Sequence, residues 1–308
     1  MGHWSEQDYR ALKIEPVIHV HGNGKPTPHP DVLVLGDSFS RWNYWQSVLS
    51  DKTGLKHQSY HFGDVGCVEN WIEWLLSTAP SSLKLVMIER IEEGYLETFL
   101  YNFHCTIGEI TPQKIKVQEH NTSSKKKPLN PELNSDYLYR TVKNTLSLAL
   151  KPEDSFFNGK VYNQPLKQHD LFSNRRSDRL LSIFLDAVKN GKDWNPEQFN
   201  RASQNVRAIK NRLAVRGIEL IIIVVPDKTS VYEDLIADPI VTSKVKAINA
   251  SLRAYGIVTV DLLPYFKQVR EDIIDLYGPN DLHLSLAGYV AMAHQIEKSH
   301  TMARLRNQ

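Results

Sequence analysis

The chain has 308 residues, of which 41% are hydrophobic and 23% are charged, and its net charge is +2. This is the composition of a globular protein long enough for one large domain or two ordinary ones. The small net charge excludes a general attraction to nucleic acid or to a membrane surface, so any polyanion binding has to be local. The two cysteines are too few for a disulfide framework, and they fit a reduced compartment or a single bridge.

Neither a membrane span nor an export signal is evident in the sequence. The longest aliphatic run, IELIIIVV at 218–225, is far shorter than the roughly 20 residues that cross a bilayer. The first residues, MGHWSEQDYR, lack the basic start, apolar stretch and cleavage site of a signal peptide. We therefore expect no transmembrane segment, and either a cytoplasmic protein or the mature or excised part of a longer one.

Five short apolar runs predict β-strands. Several are almost wholly aliphatic, which is typical of strands that are buried on both faces of a parallel sheet. The runs are DVLVL (31–35), KHQSYHF (56–62), LKLVMIE (83–89), IELIIIVV (218–225) and GIVTVDL (256–262).

Amphipathic segments near these runs predict helices at Ser40–Asp51, Val68–Ser77, Pro196–Val215, Ile240–Tyr255 and Ser285 to about His300. Strands that alternate with helices indicate a parallel sheet covered on both faces. We therefore predict a doubly wound, three-layer α/β/α fold of the flavodoxin-like type, with a five-stranded parallel sheet in a single domain over residues 1–308.

The alternation stops at residues 104–180. This region contains HNTSSKKKPLNPELNS (120–135), whose basic, Ser- and Pro-containing composition predicts a mobile surface loop. Segments 138–150 and 175–189 have helical patterns. We interpret residues 104–180 as an insertion or cap between the third and fourth strands.

Polar residues and glycines follow the predicted strands, at the edge where an open parallel sheet binds its ligands. Ser38 follows the first strand, and Asp281 and His283 lie in the loop before the last helix. A serine hydroxyl is a weak nucleophile that needs a histidine base, which a carboxylate holds in the correct tautomer. Ser38, His283 and Asp281 therefore predict an acyl-transfer site, and backbone N–H groups at the helix start can receive an oxyanion.

Each of these residues also has an ordinary structural explanation. Ser38 or Ser40 can cap a helix, Asp281 can be a turn residue, and His283 can be a loop histidine before Ser285 as the cap of the last helix. Their placement at the two ends of one doubly wound domain favours the catalytic interpretation. The cysteines lack metal-ligand spacing, and we expect neither a metal nor another cofactor.

These residues resemble the SGNH (GDSL-type) hydrolase superfamily, and within it the alginate O-acetyltransferase (AlgX/AlgJ-like) branch. The likeness extends over about residues 30–105 and 160–297, and it implies an SGNH-type fold. Four segments resemble its serine block, its Asp-x-His block, the strand and Pro-x-Lys turn before that block, and a segment that usually carries Glu-x-x-Glu-Arg. In that order, the four segments are VLVLGDSFS (32–40), YGPNDLHLSLAGYVAMA (277–293), GIELIIIVVPDKTSVYED (217–234) and VMIERIEEGYL (86–96).

Two features depart from the alginate branch. There the Asp-x-His block precedes the serine block, whereas here Ser38 precedes Asp281. This order resembles a circular permutation, which neighbouring chain termini tolerate. In addition, Glu93 stands where the branch has arginine, although Arg90 is close by.

The oxyanion hole is a third departure. The resemblance implies donors from the N–H of Ser38 and from Gly66, or Gly63, but no Gly-x-Asn-Asp follows the third strand. Arg90 is a further candidate for this support. Because the loss of one donor lowers a rate by about 100- to 1000-fold, an inactive descendant also fits the sequence.

The resemblance implies transfer of an acetyl group, through acetyl-Ser38, to a bacterial surface polysaccharide. It further implies a periplasmic or other extracytoplasmic location, with the acetyl group passed on by a membrane-bound O-acyltransferase. With water as acceptor, the same site is a carbohydrate O-acetylesterase. The alternatives are a non-catalytic carbohydrate-binding subunit of a polysaccharide-modification complex, and a cytoplasmic lipase or thioesterase; no nucleic-acid partner is expected.

Candidate acceptor-binding residues are aromatic or charged. Asp37, Lys228, Trp42 and Trp71 are the main candidates, and the lysines at 125–127 belong more readily to a solvated loop. Aromatic side chains can stack on pyranose rings, but helical spacing is more typical of core residues. The other aromatic candidates are Tyr44, Trp45 and Trp74.

Overall fold

The computed structural model describes residues 29–104, 156–157, 161–168, 170–173, 179–183, 194–237, 243–279 and 281–306. The loop predicted at 120–135 and the helix predicted at 138–150 lie outside these residues. The single-domain organisation and the insertion at 104–180 stay predictions.

The described strands form two sheets. In chain order they are β1 (Val32–Gly36), β2 (His57–His61), β3 (Leu85–Ile91), β4 (Phe156–Phe157), β5 (Val161–Pro165), β6 (Arg179–Ile183), β7 (Glu219–Val225) and β8 (Val258–Thr259). A parallel sheet has the order β2-β1-β3-β7-β8, and β4, β5 and β6 form a small antiparallel sheet. The predicted five-stranded parallel sheet is confirmed.

The strand order explains where ligands bind. The chain leaves β1 to form β2 on one side, and then crosses to form β3 on the other side. Loops that leave two neighbouring strands in opposite directions open a crevice at the carboxyl edge of the sheet. β1, β3 and β7 are the buried central strands, so their aliphatic composition follows from burial on both faces.

Helices cover the sheet in two groups, α1, α7 and α8 in one and α3, α4 and α6 in the other. In chain order the described helices are α1 (Tyr44–Thr53), α2 (Phe62–Val65), α3 (Val68–Thr78), α4 (Pro196–Ala214), α5 (Lys228–Tyr232), α6 (Val245–Ala254), α7 (Leu262–Val269), α8 (Leu286–Glu297) and α9 (His300–Arg306). The predicted three-layer α/β/α class is confirmed. Within the described ranges, no helix combines the length and the apolar character that crossing a membrane requires.

Two predicted elements are wrong. The helix predicted at 175–189 contains strand β6, because this segment pairs with β5 through a ladder from Val161 opposite Ile183 to Pro165 opposite Arg179. The strand predicted at 256–262 is reduced to two residues, and helix α7 starts directly after it. β8 is the edge strand of the sheet, where only β7 supplies hydrogen bonds.

A buried carboxylate, Glu92, joins the loops that follow β3 and β7 to the start of α6. The side chain is 3% exposed. It accepts hydrogen bonds from three backbone N–H groups and two hydroxyl groups, which compensate its lost hydration. The donors are the N–H groups of Asp227, Lys244 and Val245 and the hydroxyls of Ser230 and Ser243.

Candidate active site

Ser38 lies two residues beyond the end of β1, in a series of turns over residues 38–42. Hydrogen bonds from Ser40 N–H to Asp37 O (3.1 Å) and from Asn43 N–H to Ser40 O (3.2 Å) close these turns. Helix α1 therefore begins at Tyr44 rather than at Ser40, and Asn43 before it has a φ of 54°. The turns hold Ser38 at the edge of the sheet, ahead of the helix.

Ser38, His283 and Asp281 form one hydrogen-bonded chain. Ser38 Oγ lies 2.7 Å from His283 Nε2, and His283 Nδ1 lies 2.8 Å from Asp281 Oδ1. An ionised carboxylate only accepts hydrogen bonds, so Nδ1 carries the ring proton and Nε2 accepts the Ser38 hydroxyl. In this arrangement a histidine is able to take the proton of a serine.

The surroundings keep Asp281 ionised. Burial alone would raise the pKa of its carboxyl group, but the hydrogen bond from His283, the His283 charge and neighbouring backbone N–H groups outweigh it and lower the pKa to about 2. Asp281 Oδ1 accepts the N–H groups of Leu282 at 2.7 Å and His283 at 3.2 Å. Three donors therefore converge on one carboxylate oxygen.

A short hairpin carries both Asp281 and His283. Tyr277 and Leu284 form an antiparallel bridge, and Gly278 N–H donates to His283 O at 2.8 Å. These bonds fix the backbone on both sides of the Asp-x-His segment. The two side chains therefore face the same crevice as Ser38.

Lys228 supports this hairpin from below, and it is not placed to bind a substrate. The side chain is 2% exposed, and its Nζ donates to the carbonyl oxygens of Gly278 (2.7 Å), Pro279 (3.0 Å) and Asp281 (3.2 Å). The Phe172 ring lies 4.6 Å from Nζ. All three N–H groups of the ammonium are therefore used within the fold, which corrects the predicted substrate-binding role.

Phe39 and the start of α8 enclose the His283 ring. The buried Phe39 ring lies 5.0 Å from the His283 ring, and Tyr289 of α8 packs on Phe39 at 6.4 Å. Helix α8 approaches the hairpin so closely that a Cβ on Gly288 would overlap the carbonyl oxygen of Leu276. Only glycine allows this contact.

A buried acid, Glu89 of β3, lies beneath the serine turns. Its Oε2 accepts Asp37 N–H at 3.2 Å and the Ser40 hydroxyl at 2.6 Å, while Oε1 has no hydrogen-bond partner among the described residues. A Cβ on Gly36 would overlap both Ser40 and Glu89. Burial, and then the charge of Asp37, raise the pKa of Glu89 well above its ordinary value.

Asp37 anchors loops and does not face a substrate, which corrects its predicted binding role. It is 5% exposed. Its Oδ1 accepts Phe39 N–H at 2.9 Å, and its Oδ2 accepts Ile91 N–H at 2.9 Å. The serine turns are thereby tied to the loop that follows β3.

Arg90 is likewise occupied by neighbouring groups. Its guanidinium pairs with Asp37 at 3.4 Å and Glu97 at 3.0 Å, and Nε donates to Gly94 O at 3.2 Å. The centre of the Phe62 ring lies 5.3 Å from Cζ of Arg90. Two carboxylates therefore compete for the N–H donors of Arg90. Its oxyanion role stays a prediction.

Of the two candidate glycines after β2, Gly66 is the one with the better claim to an oxyanion role. Gly63 N–H already donates to His61 Nδ1 at 3.0 Å. Gly66 joins α2 to α3 with a φ of 76°, in the loop that follows β2. Its role as an oxyanion donor stays a prediction.

The aromatic candidates divide into core and surface residues. Trp71 and Trp45 are fully buried, so neither can stack on a sugar, and the prediction for Trp71 is wrong. Tyr44 packs on Tyr289 of α8, and Trp74 packs on Tyr60 of β2. Trp42, in contrast, is 54% exposed and lies in the turns that carry Ser38.

Residues 184–307 match the family model described as the SGNH hydrolase-like domain of the acetyltransferase AlgX. The matched segment contains Lys228, Asp281 and His283, whereas Ser38 and the first three strands precede it. A comparison with curated proteins found no match.

Fold and family match point to the same class of protein: residues 184–307 are similar to an SGNH hydrolase-like domain, and the described residues form an α/β/α architecture around a parallel sheet. Within that superfamily, the match supports the AlgX-like branch that the sequence resembles. The matched domain is that of an acetyltransferase, which indicates an activity of the acyltransferase or esterase type.

Proposed function

We propose that the protein transfers an acetyl group, through an acetyl-Ser38 intermediate, to a hydroxyl group of a polysaccharide. The observation that carries the proposal is the continuous chain from Ser38 Oγ through His283 to Asp281, with 2.7 Å and 2.8 Å between successive heteroatoms. The match to an acetyltransferase domain supports the acyl group and the reaction type.

The first half-reaction acylates Ser38. His283 Nε2 takes the hydroxyl proton as Ser38 Oγ attacks the carbonyl carbon of an acetyl ester, and the carbonyl oxygen becomes an oxyanion. The charged ring is stabilised by Asp281. When the tetrahedral intermediate collapses, the bond to the donor alcohol breaks and His283 returns the proton to that alcohol. The product is acetyl-Ser38.

The second half-reaction restores Ser38. His283 deprotonates the incoming hydroxyl group, whose oxygen attacks the acetyl carbon, and the departing Ser38 oxygen receives the proton. A sugar hydroxyl gives an O-acetylated polysaccharide. Water gives acetate, and the protein is then an acetylesterase. The exposure of the ring and the carboxylate, 21% for His283 and 41% for Asp281, supports this second candidate because water reaches the base.

Trp42 is the best-placed candidate to contact an acceptor sugar. It is a large exposed aromatic side chain four residues beyond Ser38 in the same turns. Aromatic faces pack on apolar faces of ligands and leave polar groups in water. We assign Trp42 to an acceptor subsite, with an oligosaccharide or polysaccharide as partner.

An extracytoplasmic location fits the proposed reaction. Cys67, which caps helix α3, forms a disulfide bond. Disulfides persist in oxidising compartments and are rare in the cytosol. The resemblance to alginate acetylation points the same way, with a membrane-bound O-acyltransferase as the source of acetyl groups.

Intact mass spectrometry after incubation with p-nitrophenyl acetate tests the proposal. We expect an acetyl adduct on the wild type that Ser38→Ala abolishes, and no accumulation in His283→Ala because the base is missing. Addition of oligosaccharides then separates transfer from hydrolysis, since acetyl appears either on the sugar or as acetate. If the wild type and both variants behave alike with several donors, the protein is a binding subunit and the catalytic proposal is wrong.

A further inference from the structure

The last residue of β2, His61, lies beside the serine turns. In the register of the sheet His61 is paired with Gly36, the final residue of β1, and Ser38 follows Gly36 by two residues. Neighbouring strands are about 4.8 Å apart. The His61 side chain therefore starts from the same edge of the sheet as the proposed nucleophile.

One hydrogen bond fixes the protonation of the His61 ring. Gly63 N–H donates to Nδ1 at 3.0 Å, so Nδ1 must present its lone pair and the ring proton must be on Nε2. Burial, helped by the charges of Arg41 and Arg90, lowers the pKa of His61 even though two nearby carboxylates oppose the change. His61 is thus a neutral imidazole whose Nε2 is a hydrogen-bond donor.

The fold makes no use of that donor. His61 Nε2 has no hydrogen-bond partner within the described part of the chain, and the ring is half-buried at the sheet edge. Its capping role toward α2 occupies Nδ1 alone. The single N–H group of the ring, at the sheet edge that also carries Ser38, is therefore available to a bound molecule.

The hydrogen-bond donors beside Ser38 indicate which side of the serine an oxyanion would occupy. β1 lies between β2 and β3. On the β3 side the guanidinium of Arg90 is already paired with Asp37 and Glu97. On the β2 side the Nε2–H group of His61 is available as a donor.

We propose that His61 is a further catalytic residue, whose Nε2–H donates a hydrogen bond to the acyl oxygen of an ester that reacts with Ser38. The proposal rests on the acyl-transfer function proposed above. The neutral ring transfers no proton. Its hydrogen bond strengthens as the carbonyl oxygen gains charge in the tetrahedral intermediate, which lowers the barrier to acylation.

The competing explanation is that His61 only caps helix α2. Asparagine is among the best capping residues, so His61→Asn keeps an acceptor for Gly63 N–H but cannot extend a donor to the position of Nε2. His61→Gln has a longer side chain whose amide can present an N–H group further out. His61→Ser, another capping residue, serves as the second variant if His61→Asn lowers the melting temperature.

The experiment measures acetyl-Ser38 formation from p-nitrophenyl acetate, by the initial burst of nitrophenol and by mass. We expect His61→Asn to lower the acylation rate constant by about 100-fold, with KM within threefold and the melting temperature unchanged. The acylation rate constant of His61→Gln should be at least tenfold higher than that of His61→Asn. If His61 only capped helix α2, we would expect neither a lower rate constant at unchanged KM nor a higher rate constant in His61→Gln.

Two results would overturn the inference in distinguishable ways. If the wild type acylates Ser38 and His61→Asn or His61→Ser does so at the same rate, His61 is a cap and the acyl-transfer function stands. If the wild type forms no acetyl-Ser38 with any donor ester, both the proposed function and the proposed role of His61 are wrong.

Discussion

Replacing Asp281 by asparagine tests the charge of the site separately from its geometry. Asp281 Oδ1 accepts three hydrogen bonds, from His283 Nδ1 and from the N–H groups of Leu282 and His283. An amide group that turned its NH2 toward these donors would lose all three bonds. We therefore expect the asparagine oxygen to keep this position, and the His283 ring to keep its tautomer.

The expected effect is then the loss of one negative charge. The lowering of the Asp281 pKa from 3.8 to about 2 corresponds to about 2.5 kcal/mol at about 1.36 kcal/mol per unit. The carboxylate side chain is 41% exposed, so solvent screening reduces this to about 1 kcal/mol at the lower limit. Asp281→Asn should therefore slow acylation of Ser38 by about 6- to 60-fold.

The assay is the rate of acetyl-Ser38 formation from p-nitrophenyl acetate at neutral pH. Asp51→Asn, at an exposed position in α1, is the matched control and should leave the rate unchanged. A loss of about 10,000-fold would show that the amide turns and that the wrong tautomer forms, as occurs in other serine triads. A loss below twofold would show that Asp281 does not act on His283.

Three further predictions concern buried charge and acceptor binding. Burial lowers the pKa of Lys228 from 10.5 to about 7, so this side chain binds more protons in the unfolded state between these pH values. The free energy of unfolding of the wild type should therefore rise by about 2 kcal/mol or more relative to that of Lys228→Met between pH 7 and pH 10.5, and equal pH slopes of the two proteins would refute this. Burial raises the pKa of Glu89, so the contribution of this side chain to stability is present below about pH 4.5 and is lost as the pH rises. In urea unfolding, Glu89→Gln should therefore gain stability relative to the wild type from pH 5 to pH 8, and a constant difference between the two proteins would contradict this. Trp42→Ala should raise the acceptor KM by about tenfold and change p-nitrophenyl acetate hydrolysis by less than twofold, and an unchanged acceptor KM would remove Trp42 from the proposed subsite.

Composition predicts best those strands that are buried along their whole length. β1 and β7 are buried along almost their whole length, so only aliphatic residues suit them and the runs are visible in the sequence. β8 has one neighbour and two residues, and hydrophobic pattern alone gave it too much length. The segment around Arg179–Ile183 is apolar enough for either state, and its pairing with β5 makes it a strand.

The meeting of Ser38 with His283 and Asp281 follows from a general property of parallel sheets, because residues after successive strands share one edge. Their catalytic roles stay predictions. The sequence does not show which groups each polar side chain contacts in the folded protein. Lys228 follows a strand as a substrate-binding lysine would, yet three carbonyl oxygens surround its ammonium. Glu89 ends an aliphatic run, and that unusual position was the available signal of its buried role.

Ser38 and His283 are 245 residues apart in the chain, although Ser38 Oγ lies 2.7 Å from His283 Nε2. We expect such a contact to form late in folding, because the entropy cost of closing a long loop comes before any gain from the contact. If Ser38 and His283 act as proposed, a partly folded chain holds the serine without its base, and we expect no acylation from it. Recovery of acylation after dilution from urea should lag behind recovery of helical signal. On this proposal, acylation of Ser38 reports that the hairpin with Asp281 and His283 has packed against the sheet.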